Sequence, residues 1–214
     1  MTLTDIFLTR EEREPKHPDK VWASELGRCP FSVVLRMRGA QPDIPRHILT
    51  AMEIGSAIHS HFTWKAKWLL EREGIELQAE EEVEWENIVG RPDIVLRKDG
   101  KITVVEIKST SKSERDLPEL GHELQLAFYC KALDANTGIL FYVSKRNFLK
   151  EFHYDKRKLE ELAMEAARFA QLVDHLTKVP EHKWIHYASL IEGDCKWCFF
   201  RHACPLYKEQ EKHI

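Results

Sequence analysis

The chain has 214 residues, 43% hydrophobic and 31% charged, long enough for one well-buried core. Its formal net charge is −3 and its pI about 6.4. This excludes the global basic footprint of a histone-like or repressor-like protein and leaves only local basic groups at 36–38, 65–67, 145–146 and 156–158. No run approaches the eighteen or so apolar residues of a membrane span, and acids and prolines stand where a signal peptide would be apolar. A cytoplasmic protein with no membrane partner is expected.

Residues 46–73 read as one long helix, with Ile48, Met52, Gly55, Ile58, Phe62, Ala66 and Leu69 at helical spacing and Gly74 as the stop. His59 lies on or beside that apolar stripe. From 77 the period changes, and 77–85, 88–98 and 101–109 read as three strands, the last two joined by Asp99-Gly100, the strongest short hairpin signal. Residues 117–134 read as a helix, 138–144 and 149–155 as two more strands, and 155–177 as an amphipathic helix ended by Pro180. The order αβββαββα implies an α/β fold with a mixed sheet flanked by helices. Without repeats or a composition break, 1–214 is expected to be a single domain.

A two-residue turn at Asp99-Gly100 sets Lys98 against Lys101 and therefore Asp93 against Glu106. Lys108 shares the face of Glu106, while Ile94, Leu96, Val105 and Ile107 point into the core on the other side. Two carboxylates about 5 Å apart repel by roughly 3 kcal/mol at an effective dielectric of 20. A hard divalent cation such as Mg²⁺ or Mn²⁺ removes that penalty. Two solvated acids on an exposed face, or a register slip that separates them, would also fit the pattern.

The literal Pro92-Asp93, then twelve residues, then Glu106-Ile107-Lys108 after an apolar run, resembles the PD-(D/E)xK nuclease motif. The resemblance implies that Asp93, Glu106 and the backbone carbonyl of Ile107 hold a metal ion, and that Lys108 orients or deprotonates the attacking water or stabilises charge on the phosphorane. RecB-type members of that superfamily add a G-x-x-x-H helix before the hairpin and Q-x-x-x-Y on the helix after it. Gly55 to His59 and Gln125 to Tyr129 match both, each pair on one helix face. By this likeness His59 is a further metal ligand, and Gln125 and Tyr129 contact the substrate phosphate or order the site. His61 falls nearly 200° around the helix from His59.

Five cysteines, three of them within ten positions, point to metal or cluster ligation rather than disulfides. Cys130, inside an apolar helix, reads as a small buried hydrophobe. A cysteine before the nuclease core, Cys29, and C-x2-C-x5-C-P after it, Cys195, Cys198 and Cys204, resemble the CRISPR-associated RecB-like iron-sulfur exonuclease family over about 22–207. That family likeness implies a 4Fe-4S cluster on these four cysteines, with cluster-binding segments at about 22–38 and 190–207 around a nuclease core at about 46–178. Four thiolates also suit zinc, although one-plus-three spacing with Cys-Pro junctions is more cluster-like. Trp197, Phe199 and Phe200 would shield a cluster from solvent.

The implied function is a Mg²⁺- or Mn²⁺-dependent deoxyribonuclease, an exonuclease on single-stranded DNA ends. It would trim DNA for CRISPR spacer acquisition with spacer-integration proteins, or serve DNA repair or recombination. No G-x-x-x-x-G-K-[ST] is present, so unwinding would need a partner. The alternatives are a non-catalytic DNA-end-binding or adaptor subunit and a zinc-stapled nucleic-acid-binding protein.

Overall fold

The computed structural model describes residues 16–73, 75–78, 81–190 and 195–207. Helix α1 (Pro30–Met37) starts with proline in its first turn, where the missing N–H costs nothing. Helix α2 spans Arg46–Leu70, followed by a 3₁₀ turn at Glu71–Glu73. Gly74, the expected stop, lies outside the described residues. Strands β5 (Ile94–Lys98) and β6 (Lys101–Thr110) form the hairpin, followed by α3 (Leu120–Ala132), β7 (Thr137–Ser144), β8 (Leu149–Asp155) and α4 (Lys156–Lys178).

Earlier in the chain are β1 (Val21–Trp22), β2 (Glu76–Gln78), β3 (Val83–Trp85) and β4 (Ile88–Gly90). A five-stranded sheet runs in the order β2-β5-β6-β7-β8, with β6 and β7 parallel and the other pairs antiparallel. A smaller sheet orders β1-β4-β3. The segments 77–85 and 88–98, expected as single strands, are therefore each divided between two sheets. The second break falls at Arg91-Pro92-Asp93, where proline has no N–H to continue a ladder.

Helix α2 covers one face of the larger sheet, packing Ile58, Phe62 and Ala66 on Ile94, Ile107 and Val143. Met52 and Leu69, expected on its apolar stripe, are exposed, because both lie outside the patch where α2 meets the sheet. Helices α3 and α4 cover the other face, in a core with Val104, Leu140, Leu126, Phe128, Leu162 and Ala166. Asp155 caps α4 by accepting the Lys158 N–H at 2.8 Å. The loop before α1 crosses the start of α3 without room for a side chain. A Cβ on Gly27, whose φ is +74°, would lie 2.8 Å from the Gly121 Cα, and one on Gly121 would lie 2.7 Å from the Leu26 carbonyl oxygen.

Candidate active site

The hairpin pairs Lys98 with Lys101 and Ile94 with Val105, as the turn residues require. Asp99 and Gly100 have φ of 51° and 73°, the left-handed pair of a type I′ turn. One more step places Asp93 across from Glu106, but Asp93 precedes the ladder and its carboxylate turns onto the bare edge of β6. Its Oδ2 accepts the Ile107 N–H at 2.7 Å. Since the N–H and C=O of a strand residue point to the same edge, the Ile107 carbonyl faces that side too.

The bare edge lets groups from both faces of the sheet meet. From α2, His59 Nδ1 lies 3.1 Å from Asp93 Oδ1. On the α3 side, Lys108 Nζ lies 2.7 Å from Glu106 Oε1 and donates to Gln125 Oε1 at 2.7 Å. Gln125 Nε2 donates to the Tyr129 hydroxyl at 3.0 Å, which also receives the backbone N–H of Arg91. Gly90 makes room for this tyrosine, since a Cβ there would lie 2.9 Å from its hydroxyl. The structure thus brings His59, Asp93, Glu106, Ile107, Lys108, Gln125 and Tyr129 into one connected group.

Glu106 is 2% exposed, and its Oε2 is buried without a hydrogen-bond partner. Burial, reinforced by the Asp93 charge and opposed by Lys108 and His59, pushes its carboxyl up to about 7. Burial pulls the His59 imidazole down, but the hydrogen bond and charge of Asp93, with Glu106, outweigh it and leave it above its usual value. Asp93 and Glu106 share this buried corner with one histidine and one lysine, and one Glu106 oxygen still has no partner. Among the described residues no three His, Cys, Asp or Glu side chains converge as a closed metal-binding group. The acids rest on internal partners instead.

His122 was not singled out from sequence, although it lies three residues before Gln125 and so on the same face of α3. Its Nδ1 is 2.9 Å from the Tyr142 hydroxyl, and burial, then Lys108, Lys112 and Arg28, drive its pKa down to about 3. A neutral imidazole beside three cations marks a positive region next to Lys108.

Cys29, Cys195, Cys198 and Cys204 line one cavity of about 250 Å³, closed in part by Trp197, Phe199 and Phe200. Cys29 is the N-cap residue of α1, where the Ser32 N–H donates to the Cys29 carbonyl at 3.0 Å and the first-turn N–H groups of Phe31 and Ser32 favour the thiolate. Burial nevertheless raises the thiol pKa of Cys29 and of Cys198. Cys130 is buried against the sheet, away from this cavity, and burial pushes its thiol up to about 12.

The sequence profile of the PD-(D/E)XK nuclease superfamily matches residues 32–205. The CRISPR-associated exonuclease Cas4 of Saccharolobus solfataricus is 28% identical over 212 residues, which cover 95% of this chain and 98% of that protein. Among solved structures, SSO0001 superposes with a TM-score of 0.63 at 21% identity, over 96% of this chain and 97% of its own. The alkaline exonuclease LHK-Exo from Laribacter hongkongensis gives 0.54 at 14% identity, over 80% of this chain and 96% of its own. At those identities the two structures speak to the fold.

Proposed function

Because the chain belongs to the PD-(D/E)XK nuclease superfamily, we propose that it hydrolyses phosphodiester bonds in DNA, as an exonuclease on single-stranded ends that uses Mg²⁺ or Mn²⁺. The observation that carries this reading is the buried Glu106 carboxylate, one oxygen without a partner, beside Asp93 at a bare sheet edge. Unsatisfied buried carboxylate oxygen suits a hard cation. Asp93, Glu106, His59 and the Ile107 carbonyl would hold that ion, which when bound supplies Lewis acidity toward a phosphoryl oxygen and eases deprotonation of water.

The chain's own groups divide the remaining work. With the His59 Nδ1 proton given to Asp93, the Nε2 lone pair is left for a ligand. Lys108 spends two of its three N–H bonds on Glu106 and Gln125. The third is available to orient the attacking water or to stabilise charge growing on the phosphoryl group. Gln125 and Tyr129 are both buried, which favours the role of fixing the Lys108 ammonium over wide contact with substrate.

The four cysteines are assigned to a structural 4Fe-4S cluster that joins the segment before the nuclease core to the one after it, within a single nuclease domain. A zinc ion would need all four sulfurs within about 2.3 Å of one point. The cavity of about 250 Å³ that all four cysteines line leaves room for a cluster, and the one-plus-three spacing with Cys-Pro junctions favours it over zinc. Likeness to a CRISPR-associated exonuclease across nearly the whole chain supports work with spacer-integration proteins.

The test is digestion of 5′- and 3′-end-labelled DNA with Mg²⁺ or Mn²⁺, comparing the parent protein with Lys108→Ala and Asp93→Ala. Undiminished cleavage by both variants would sink the assignment. Anaerobic purification decides the cofactor: a colourless protein with stoichiometric zinc and no iron refutes the cluster.

A further inference from the structure

Helix α2 has a second face that the catalytic geometry does not use. At 100° per residue, Trp64 and Trp68 fall on the side away from the sheet and from His59. Trp64 is 62% exposed and Trp68 49%. They stand one turn apart, about 6 Å along the axis. Exposed aromatic pairs of this kind mark a contact surface rather than a core.

The charge on this stretch has one sign. Between Glu53 and Glu71 the sequence holds His59, His61, Lys65 and Lys67 and no acid, in a chain whose net charge is −3. Lys65 and Lys67 are exposed and make no ion pair among the described residues. The Arg72 guanidinium lies 4.4 Å from the Trp68 ring centre, and the His61 ring lies 6.2 Å from that of Trp64. Each indole is backed on one side by a group that carries or can accept positive charge.

We propose that this face of α2 is a stacking platform for single-stranded DNA, with Trp64 and Trp68 each taking a base and Lys65, Lys67 and Arg72 neutralising the flanking phosphates. The proposal rests on the nuclease reading and deepens it by adding a strand-binding site away from the scissile bond. Aromatic faces interleaved with Lys65 and Lys67, which make no ion pair among the described residues, fit a polyanion with free base faces, which a single strand offers and a duplex does not; Arg72, between Glu71 and Glu73, is held against Trp68. A second copy of the chain, meeting this one about a two-fold axis, would set the same cations against each other. Trp68 is nine residues from His59, about 14 Å along the helix axis. Trp64 is nearer along the axis, about 8 Å, but roughly 140° around the helix from His59, so the platform engages nucleotides beyond the reacting one and products too short to reach it escape.

The experiment is fluorescence anisotropy of a labelled oligo-dT about 20 nucleotides long, without added divalent metal. It compares the parent protein, the Trp64→Ala/Trp68→Ala pair and the Trp64→Phe/Trp68→Phe pair, with circular dichroism confirming the fold. The alanine pair should bind about 10-fold more weakly or worse, and the phenylalanine pair should keep most of the affinity. A duplex of the same length should be indifferent to all four substitutions. If the parent protein cleaves the oligonucleotide with Mg²⁺ but the alanine pair binds it as tightly as the parent, the platform is refuted and the nuclease reading stands. Tryptophan-dependent binding with no cleavage upholds the platform and overturns the nuclease reading, and absence of both overturns the two together. If the parent self-associates in sedimentation, and the alanine pair loses that association with oligonucleotide affinity unchanged, the face is a protein contact and the proposal fails.

Discussion

Glu106 should make the protein less stable while making it active, and Glu106→Gln separates the two. The folded carboxyl sits at about 7 against an ordinary 4.5, a gap that corresponds to about 3 kcal/mol. The sign follows from linkage: the folded state holds the proton more tightly, so ionisation of Glu106 costs stability. That cost is absent below about pH 4.5, where both states are protonated, grows as pH rises, and is complete above about pH 7. Glutamine mimics the protonated acid. In metal-free protein at pH 8, Glu106→Gln should therefore raise the Tm by about 6 to 12 °C, and at pH 4.5 the two proteins should melt together. Mg²⁺ should stabilise the parent and not the variant, which should also have lost cleavage. Circular dichroism melts at the two pH values, with and without Mg²⁺, read all of this. Equal Tm at pH 8, or the same gain at both pH values, would refute the argument.

Three further outcomes are expected. Lys108→Ala should lose activity on end-labelled DNA on the order of 100-fold or more while keeping its circular dichroism spectrum and any colour. Cys198→Ala should lose its iron, by metal analysis and visible absorbance, and melt at lower temperature. Gly121→Ala forces a methyl group within 2.7 Å of the Leu26 carbonyl oxygen and should cost about 1–3 kcal/mol in denaturant unfolding. An unchanged midpoint would mean that the crossing is looser than the structure has it.

The hairpin was legible because two left-handed turn residues and alternating apolar positions leave one register open, and that register alone sets Asp93 against Glu106. His59, Gln125 and Tyr129 were found through the likeness to the G-x-x-x-H and Q-x-x-x-Y patterns of RecB-type nucleases, and four-residue spacing only put each pair on one helix face. The route by which His59 arrives was not legible, because a sequence pattern does not say that β5 begins one residue late and leaves the β6 edge open to both faces. Alternation likewise cannot tell one strand from two strands in different sheets, so the passage through Arg91 and Pro92 was hidden. Helix α1 escaped notice because it is eight residues long, in a segment read for its cysteine. The tryptophans of α2 carry no periodic signal of their own, since an exposed indole and a buried one are the same letter.

The glycine crossing gives the molecule a sense of time. From Cys29 the chain runs back two residues to Gly27, which lies against Gly121; one helical turn on, Gln125 grips the Lys108 ammonium at 2.7 Å. Contacts too close for a methyl group transmit displacement rather than absorb it. If the four cysteines hold the proposed cluster and oxygen degrades it, this crossing offers a backbone route by which the loss would reach Gln125 and Lys108 with no change at any acid. Catalytic life in air would then be set by the durability of a site far from the acids in sequence, and a preparation would age from its tail inward.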